Sequence, residues 1–236
     1  MISKTNNPLF ALRCFLKGFA WLSKKSLRKF LVVPILINFI LYTLAFVLAY
    51  LYLPDFIAQL IPEKLHWLSW LITPLFFIFF SLAGFFSFTL VANLIAAPFY
   101  GRLAARTLLL LKPEESLIVE NELAWQTMMF GELRRLAYLV KWMLALAILS
   151  LIPVVNVVAP ILWAMFGAWS CALEYLAYPL DNKKLAFPAQ KDFIQQSAMG
   201  ALSLGGLILL GLGLPIVNIC IAPAAVIAAT LYSEAA

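Results

Sequence analysis

The residues with the clearest capacity for chemistry are four consecutive ones near the N-terminus, Ser26, Leu27, Arg28 and Lys29. A long apolar helix is predicted to begin here with Ser26 as its N-cap, so that free backbone N–H groups and the positive end of the helix dipole point outward. Together with the hydroxyl, the guanidinium and the ammonium, these donors suit a tetrahedral oxyanion. The dipole contributes only about 0.3–1 kcal/mol at an exposed site, so Arg28 must supply the larger share. The alternative is that the basic residues 24–29 only anchor the helix to anionic headgroups.

A second set of charged residues flanks the apolar stretches in the middle of the chain. Its members, the candidate ion pathway, are Arg102, Arg106, Glu132, Arg134 and Arg135. Glu132 and Arg135 are three residues apart and can pair on one helix face. If these charges are buried they need partners and mark an ion path, whereas if they are exposed they are ordinary charges at a membrane margin.

Two asparagines, Asn156 and Asn218, complete the candidate pathway because each lies in a similar break of an apolar stretch. Residues 152–160 are IPVVNVVAP and residues 214–223 are LPIVNICIAP. Within a membrane, such breaks are tolerated only where protein or water meets the exposed backbone. Paired, proline-interrupted segments are typical of transporters built from repeats. The alternative is that proline and asparagine are simply common at turns.

The sequence lacks the residue patterns that metal binding, nucleophilic catalysis and nucleotide binding need. His66 is the only histidine, and the three cysteines, Cys14, Cys171 and Cys220, are odd in number and far apart. The sequence has no metal-ligand spacing, no Ser-His-Asp set and no phosphate-binding or dinucleotide-binding loop. We therefore expect neither an enzyme nor a protein that uses a metal or another cofactor.

The amino-acid composition indicates whether the chain folds in water or in a lipid bilayer. Of 236 residues, 64% are hydrophobic and 12% are charged, whereas soluble domains carry roughly 25% charged residues. A bilayer core about 30 Å thick needs about 20 helical residues. Four stretches without Asp, Glu, Lys or Arg reach that length: Phe30–Pro54, Leu65–Gly101, Trp142–Leu173 and Phe193–Ser233. The chain is predicted to be an integral membrane protein.

The predicted fold is a single all-α membrane domain over residues 1–236. Asn7 is the expected N-cap of the first helix, followed by Pro8. The predicted elements are an interfacial amphipathic helix (8–24), two long transmembrane helices (27–54 and 66–110), a charged cytoplasmic segment (112–141), a partly penetrating helical hairpin broken by Pro and Asn (142–178), a polar loop (179–192) and a second such hairpin (193–233).

The basic residues predict the orientation in the membrane. With these elements, 16 of the 17 Lys and Arg residues lie on one side. The positive-inside rule then places both termini in the cytoplasm. The net charge of +6 is thus explained by topology, and no nucleic-acid partner is expected.

Four segments, spread over nearly the whole chain, carry a recognisable pattern. They are SLRKF (26–30) followed by Pro34 and Asn38, NLIAAPFYG (93–101), APILWAMFGAWSCALEYLAYPLDN (159–182), and GAL (200–202) followed by PIVNICIAPAAVIAAT (215–230). In this order they resemble the CysZ-type sulfate permeases of bacterial inner membranes. The resemblance implies an interfacial first helix, two spanning helices and hairpins. It also implies ATP-independent sulfate uptake for cysteine synthesis by a homo-oligomer in the lipid bilayer, with the family's oxyanion motif on Ser26, Leu27 and Arg28.

Three positions depart from the family pattern. Ser26 replaces a glycine, Ala105 stands where a carboxylate is expected, and Ala177 replaces an aspartate. Two other functions stay open from the sequence. One is a membrane scaffold or assembly factor whose hairpins wedge into the bilayer, and the other is a transporter of a different oxyanion. Oligomer stoichiometry and the choice between a channel and proton coupling are equally open.

Overall fold

The computed structural model describes residues 4–60, 99–113, 125–214 and 218–235, together with the pairs 70–71, 74–75 and 78–79. Throughout this part of the chain the regular structure is helical and no strand occurs. The all-α class predicted from the sequence is therefore confirmed for the described residues. Most of the predicted span 66–110, including His66, and residues 114–124 of the predicted cytoplasmic segment lie outside them.

A short 3-10 helix, Lys4–Asn6, precedes the α-helices. These are α1 (Pro8–Leu22), α2 (Lys25–Leu60), α3 (99–111), α4 (Trp125–Ser150), α5 (Pro153–Asn156), α6 (Ala159–Asn182), α7 (Phe187–Gln196), α8 (Ala198–Leu212) and α9 (Asn218–Ser233).

The chain divides into two compact units. The first consists of Met1–Leu31 and Tyr100–Ala236, and α1, α6, α8 and α9 pack together at its centre. The second consists of Val32–Phe99. In its described part the backbone of α2 is helical, and apolar side chains such as Phe39, Phe46 and Tyr50 are exposed.

Glycines set the closeness of the central packing. A Cβ atom at Gly205 of α8 would overlap the carbonyl oxygen of Ala168 on α6, and a Cβ at Gly18 of α1 would overlap that of Ala224 on α9. The two helix pairs thus approach at the distance that only glycine allows, as in the small-residue contacts of membrane helix bundles.

The sequence predicts such packing for Gly205, Gly206, Gly211 and Gly213. Gly211 lies against the side chain of Ile221, whereas a Cβ at Gly206 or Gly213 would make only ordinary contacts. Close packing is therefore confirmed at Gly205 and Gly211 and not at the other two.

The first helix begins as the sequence predicts. Asn7 is its N-cap, and the Asn7 side chain accepts a hydrogen bond of 2.8 Å from the backbone N–H of Leu9. The face that packs on α8 and α9 carries Ala11, Cys14 and Gly18. The sequence predicts an apolar stripe along this helix made of Leu9, Leu12, Phe15, Leu16, Phe19 and Leu22. Phe15 and Leu22 of this stripe are buried in the core, whereas Leu9, Leu12 and Leu16 are exposed.

The prediction of a polar loop over residues 179–192 is wrong. Helix α6 continues through Pro179 to Asn182, and α7 begins at Phe187, so only residues 183–186 are non-helical. The polar composition of the segment suggested a loop, but Phe187 and Ile194 turn one face of α7 into the core. An amphipathic helix was therefore mistaken for a connection.

Within the described residues, no single helix combines the length and hydropathy that crossing a membrane requires. One pair, Phe187–Gln196 with Ala198–Leu212, meets that requirement jointly, and its two helices are bent by 101°.

Candidate oxyanion site and charged network

The four residues 26–29, here called the SLRK segment, lie at the junction between α1 and α2. Helix α1 ends at Leu22 and α2 begins at Lys25. The carbonyl of Lys24 accepts hydrogen bonds from the N–H groups of Leu27 at 3.0 Å and Arg28 at 3.1 Å. Ser26 is therefore a residue of the first helical turn, and the predicted N-cap at Ser26 is wrong. The cap position falls on Lys24 because α1 ends at Leu22, two residues before its predicted end at residue 24, and α2 begins at Lys25.

The four side chains of the SLRK segment differ in what they can reach. Leu27 is completely buried in the core, Ser26 is partly buried, and Arg28 and Lys29 are exposed. Since the amide of Leu27 is bonded to Lys24 and its side chain is enclosed, Leu27 holds the segment in place and offers no side-chain contact to a ligand. The groups available to an anion are the guanidinium of Arg28, the ammonium of Lys29 and the hydroxyl of Ser26.

Neighbouring cations and aromatic rings strengthen the positive character of this junction. The ammonium of Lys24 lies 3.1 Å from the centroid of the Trp21 ring, and that of Lys29 lies 5.2 Å from the Phe30 ring. The first 54 residues contain no aspartate or glutamate. Among the residues that the structure describes, neither Arg28 nor Lys29 forms an ion pair. The junction is thus a surface of uncompensated positive charge at a helix N-terminus, where anions are favoured.

The residues of the candidate ion pathway divide into buried and exposed ones. Arg135 Nη2 lies 2.9 Å from Glu132 Oε1, so the predicted pair on one helix face is confirmed. The Arg135 side chain is only 8% exposed, whereas that of Glu132 is 62% exposed. Arg134, next to Arg135, is exposed.

The remaining pathway candidates do not join this pair. Arg102 and Arg106 are exposed on α3, opposite a buried face that includes Leu103 and Thr107. Asn156 is exposed at the end of α5. Asn218 begins α9, and its side chain lies outside the described residues.

Two residues that the sequence analysis missed extend the pair of Glu132 and Arg135. Asp181 Oδ2 lies 3.9 Å from Arg135 Nη2, and Gln190 Nε2 donates to Asp181 Oδ1 at 2.6 Å and to the carbonyl of Leu185 at 2.7 Å. Glu132, Arg135, Asp181 and Gln190 are here called the Arg135 network. The one sequence feature that could have pointed to Asp181 is its position in the stretch 159–182, one of the four segments that carry the family resemblance.

Burial dominates the electrostatics of the network. It raises the pKa of Asp181 above its ordinary value, although the Arg135 charge and the Gln190 hydrogen bond act in the opposite direction. Within the described part of the chain, the buried Arg135 Nε has no hydrogen-bond partner. Arg135 therefore retains one donor, its Nε–H, that neither Glu132 nor Asp181 engages.

The helical fold, the exposed cationic junction and the buried arginine define an all-α protein with a surface suited to oxyanions. Comparison with known proteins makes the assignment specific. The chain belongs to the family described as Sulfate transporter CysZ/Etoposide-induced protein 2.4, whose model matches residues 14–223. The family resemblance noted from the sequence is confirmed.

Curated relatives support this membership over almost the full length. The chain is 35% identical to the Sulfate transporter CysZ of Pseudomonas fluorescens (strain Pf0-1), over 92% of this chain and 89% of the relative. It is also 35% identical to the Sulfate transporter CysZ of Pseudomonas syringae pv. tomato, over 92% of this chain and 88% of the relative. It is 34% identical to the protein of that name from Pectobacterium atrosepticum, over 92% and 81%.

Proposed function

We propose that this protein carries sulfate across the bacterial inner membrane, without ATP hydrolysis, and so supplies cysteine biosynthesis. The observation that carries the proposal is the exposed pair Arg28 and Lys29 at the start of α2 in a chain whose relatives are named sulfate transporters. Sulfate exchanges part of its hydration for guanidinium, ammonium and hydroxyl donors at the SLRK segment. A single exposed site of this kind holds the ion weakly enough for it to leave again, as conduction requires.

We place the rest of the pathway at the charged residues further along the chain. The Arg135 network offers a guanidinium whose Nε–H is unbonded among the described residues, and Arg102, Arg106 and Arg134 offer exposed cations. Asn156 and Asn218, at the breaks of the two hairpins, complete the proposed path. An ion that passes among several weak sites is not trapped at any one of them.

The proposed membrane placement follows the sequence prediction. The exposed leucines Leu9, Leu12 and Leu16 of α1 suit a helix that lies in the headgroup plane. The charge-free stretch Phe30–Pro54 supports a spanning helix over 27–54, and the charge-free stretch Leu65–Gly101 supports the proposal of a second one over 66–110. The two hairpins enter from the cytoplasmic side, where we place both termini, and protomers associate as homo-oligomers.

The proposal is tested by radiolabelled sulfate uptake into liposomes that contain the purified protein, with and without a proton gradient. Saturable uptake that survives collapse of the gradient supports a passive pathway. Uptake only with the gradient assigns the proton to a carboxylate such as Glu132. Absence of uptake by protein shown to be folded contradicts the proposal and favours a membrane scaffold.

The site is tested by Arg28→Ala, with Arg13→Ala as its matched control, because Arg13 is also an exposed arginine of the N-terminal region. Hydrogen bonds to charged groups contribute about 1.5–3 kcal/mol. We therefore expect Arg28→Ala to lower sulfate affinity by about 10- to 100-fold and Arg13→Ala to leave it unchanged. Equal uptake by the two variants would remove Arg28 from the site. Competition by selenate, molybdate and thiosulfate then measures selectivity among oxyanions.

A further inference from the structure

The joint between α7 and α8 is sharply bent. The two helices are bent by 101°, and Ser197 between them has a φ of −120° and a ψ of 38°, which are not helical values. In a continuous helix, the N–H groups of Met199 and Gly200 would donate to the carbonyls of Gln195 and Gln196. Because a new helix starts after the bend, these two donors lose those carbonyls.

An asparagine from the other end of the chain supplies the missing acceptor. Asn6 Oδ1 accepts hydrogen bonds from the N–H groups of Met199 at 2.9 Å and Gly200 at 3.4 Å. Ser197, at the cap position of α8, directs its own hydroxyl back to the carbonyl of Phe193 at 3.3 Å. Asn6 lies 193 positions before Met199, so the cap of α8 comes from a distant part of the chain.

Residues 4–7, here called the N-terminal strap, fit closely against this joint. The hydroxyl of Tyr232 on α9 donates to the carbonyl of Thr5 at 2.7 Å and lies 3.4 Å from the carbonyl of Ser197. Tyr232 is completely buried. A Cβ atom at Gly200 would overlap the Thr5 carbonyl. The strap is thus held by buried contacts with α8 and α9, and it meets α8 where that helix begins.

The segment that the strap holds bent also suits a straight helix. At about 1.5 Å per residue, the 15 residues of α8 extend about 22 Å, which is less than the bilayer core of about 30 Å. Joined without a break, residues 187–212 would extend about 39 Å. Together, the two helices have the length and hydropathy of a membrane span. The same residues therefore suit two arrangements, a bent pair that penetrates partly and one helix that crosses.

We propose that the N-terminal strap is a restraint that keeps α7 and α8 bent, and that its release joins them into one helix long enough to cross the membrane. The two arrangements compete for the same donors. In the bent pair Asn6 satisfies the N–H groups of Met199 and Gly200, whereas in the joined helix backbone carbonyls of α7 do so. Loss of the Asn6 acceptor therefore shifts the balance towards the joined helix.

Release would also change the charged network that α7 contacts. Gln190 on α7 donates to Asp181, which lies beside Arg135. When α7 turns into line with α8, Gln190 leaves Asp181, and the Arg135 network loses the contact that holds this carboxylate. The strap thereby controls part of the proposed sulfate path. This consequence, unlike the restraint itself, rests on the proposed function.

The arrangement of the pair is tested by the distance between two spin labels, measured by double electron–electron resonance on the purified full chain in phosphatidylcholine nanodiscs. The labels are attached through Ala189→Cys on α7 and Leu210→Cys on α8, two exposed positions, after the three native cysteines have been replaced by alanine. Helical geometry gives about 21 Å between these positions in the bent pair and about 32 Å in the joined helix. The two arrangements are therefore distinguished by distance.

The strap is released by Asn6→Ala and by Gly200→Ala, which places a methyl group on the Thr5 carbonyl. Loss of an N-cap changes a helix equilibrium by about fivefold, and alanine in place of glycine favours a continuous helix by a similar factor. We expect the double variant to raise the ratio of long to short distances by about 20-fold or more. The matched controls are Asn7→Ala, which removes the cap of α1, and Gly206→Ala, whose methyl group makes an ordinary contact. Both should keep the short distance.

A short distance in the double variant, equal to that with the unaltered strap, overturns the proposal, as does an equal long-distance population in Asn7→Ala or Gly206→Ala. Asn6→Asp keeps the acceptor oxygen and should keep the short distance. Amide hydrogen exchange separates joining from fraying, since the N–H of Met199 stays protected in a joined helix. Loss of that protection without a longer distance shows that the joint only frays, which also overturns the proposal.

A second variant covers the case in which Gly200→Ala does not fold. Ser197→Ala then takes its place, because alanine favours a helix at the joint, and an unchanged distance in Asn6→Ala with Ser197→Ala overturns the proposal. Neither the distance nor the exchange measurement needs sulfate. Absence of sulfate uptake by the wild-type chain would contradict the proposed function alone, so the two proposals fail separately.

Discussion

Gln190 donates a hydrogen bond of 2.6 Å from its side-chain amide to the carboxylate of Asp181. The bond joins α7 to the end of α6, across the segment whose composition suggested a loop. Gln190 is only 3% exposed, so its amide would lack water if Asp181 were absent. This contact also holds Asp181 beside Arg135, and thereby connects the packing of α7 to the charged network on α4.

The Arg135 network should behave as a coupled unit. Arg135→Met keeps the aliphatic bulk but leaves Asp181 without its cation, and we expect it to lower the free energy of unfolding by about 1–3 kcal/mol. Asp181→Asn should cost less, and the double variant should cost less than the sum of the two. Thermal unfolding followed by circular dichroism in detergent measures these differences. Arg134→Met is the control, because this exposed neighbour should change stability by no more than about 0.5 kcal/mol. Additive losses would contradict the coupling.

The contact between α6 and α8 should be sensitive to a single methyl group. Gly205→Ala places a Cβ on the Ala168 carbonyl and should destabilise the protein by about 1–3 kcal/mol. Gly206→Ala is the matched control, since its Cβ would lie 3.8 Å from the Cβ of Ala168, an ordinary contact. It should be neutral or stabilising by up to about 1 kcal/mol, because alanine favours a helix over glycine. Equal unfolding temperatures for the two variants would contradict this packing.

Charge and geometry at Arg28 can be separated with Arg28→Lys. Lysine keeps the positive charge but loses the planar fork that binds an oxyanion through two parallel hydrogen bonds. We expect sulfate affinity between those of the wild type and Arg28→Ala, measured by uptake at several sulfate concentrations. If Arg28→Lys equals the wild type, the residue acts only through its charge.

Acid should remove the stabilisation that Glu234 provides. Burial favours the neutral acid, but the hydrogen bonds and charges of Lys112 and Lys183 prevail and hold the pKa of Glu234 below its ordinary value of 4.5. The folded protein thus binds this proton less readily than the unfolded chain does. The stabilisation is fully present above pH 4.5 and is lost as the pH falls through the lower folded pKa.

The measurement compares the unfolding temperatures of the wild type and Glu234→Gln from neutral to acidic pH. Their difference should be constant near neutrality and shrink below pH 4.5. Asp192→Asn controls for general acid effects, because it removes an exposed carboxylate. A difference that does not depend on pH would show that the ionised carboxylate contributes nothing.

Local patterns predicted local features well. The Asn7-Pro8 pair predicted the start of α1, the three-residue spacing predicted the pair of Glu132 and Arg135, and the glycines predicted close packing at Gly205. Each depends on residues within about one helical turn or on the absence of a side chain. The N-cap at Ser26 failed because Lys24, which has no capping side chain, takes that position through its backbone.

The sequence by itself determined the all-helical class, the family and the excess of basic over acidic residues around the SLRK segment, because composition and short-range spacing do not depend on how the chain packs. Only the tertiary structure decided which charges are buried and which partners they meet. Asp181 lies 46 positions after Arg135 and Glu234 lies 51 positions after Lys183. Yet Asp181, near the end of α6, meets Arg135 within α4, and Glu234 meets Lys183 just beyond the ends of α9 and α6. Such contacts depend on the relative placement of several helices, which the spacing within any one of them does not contain.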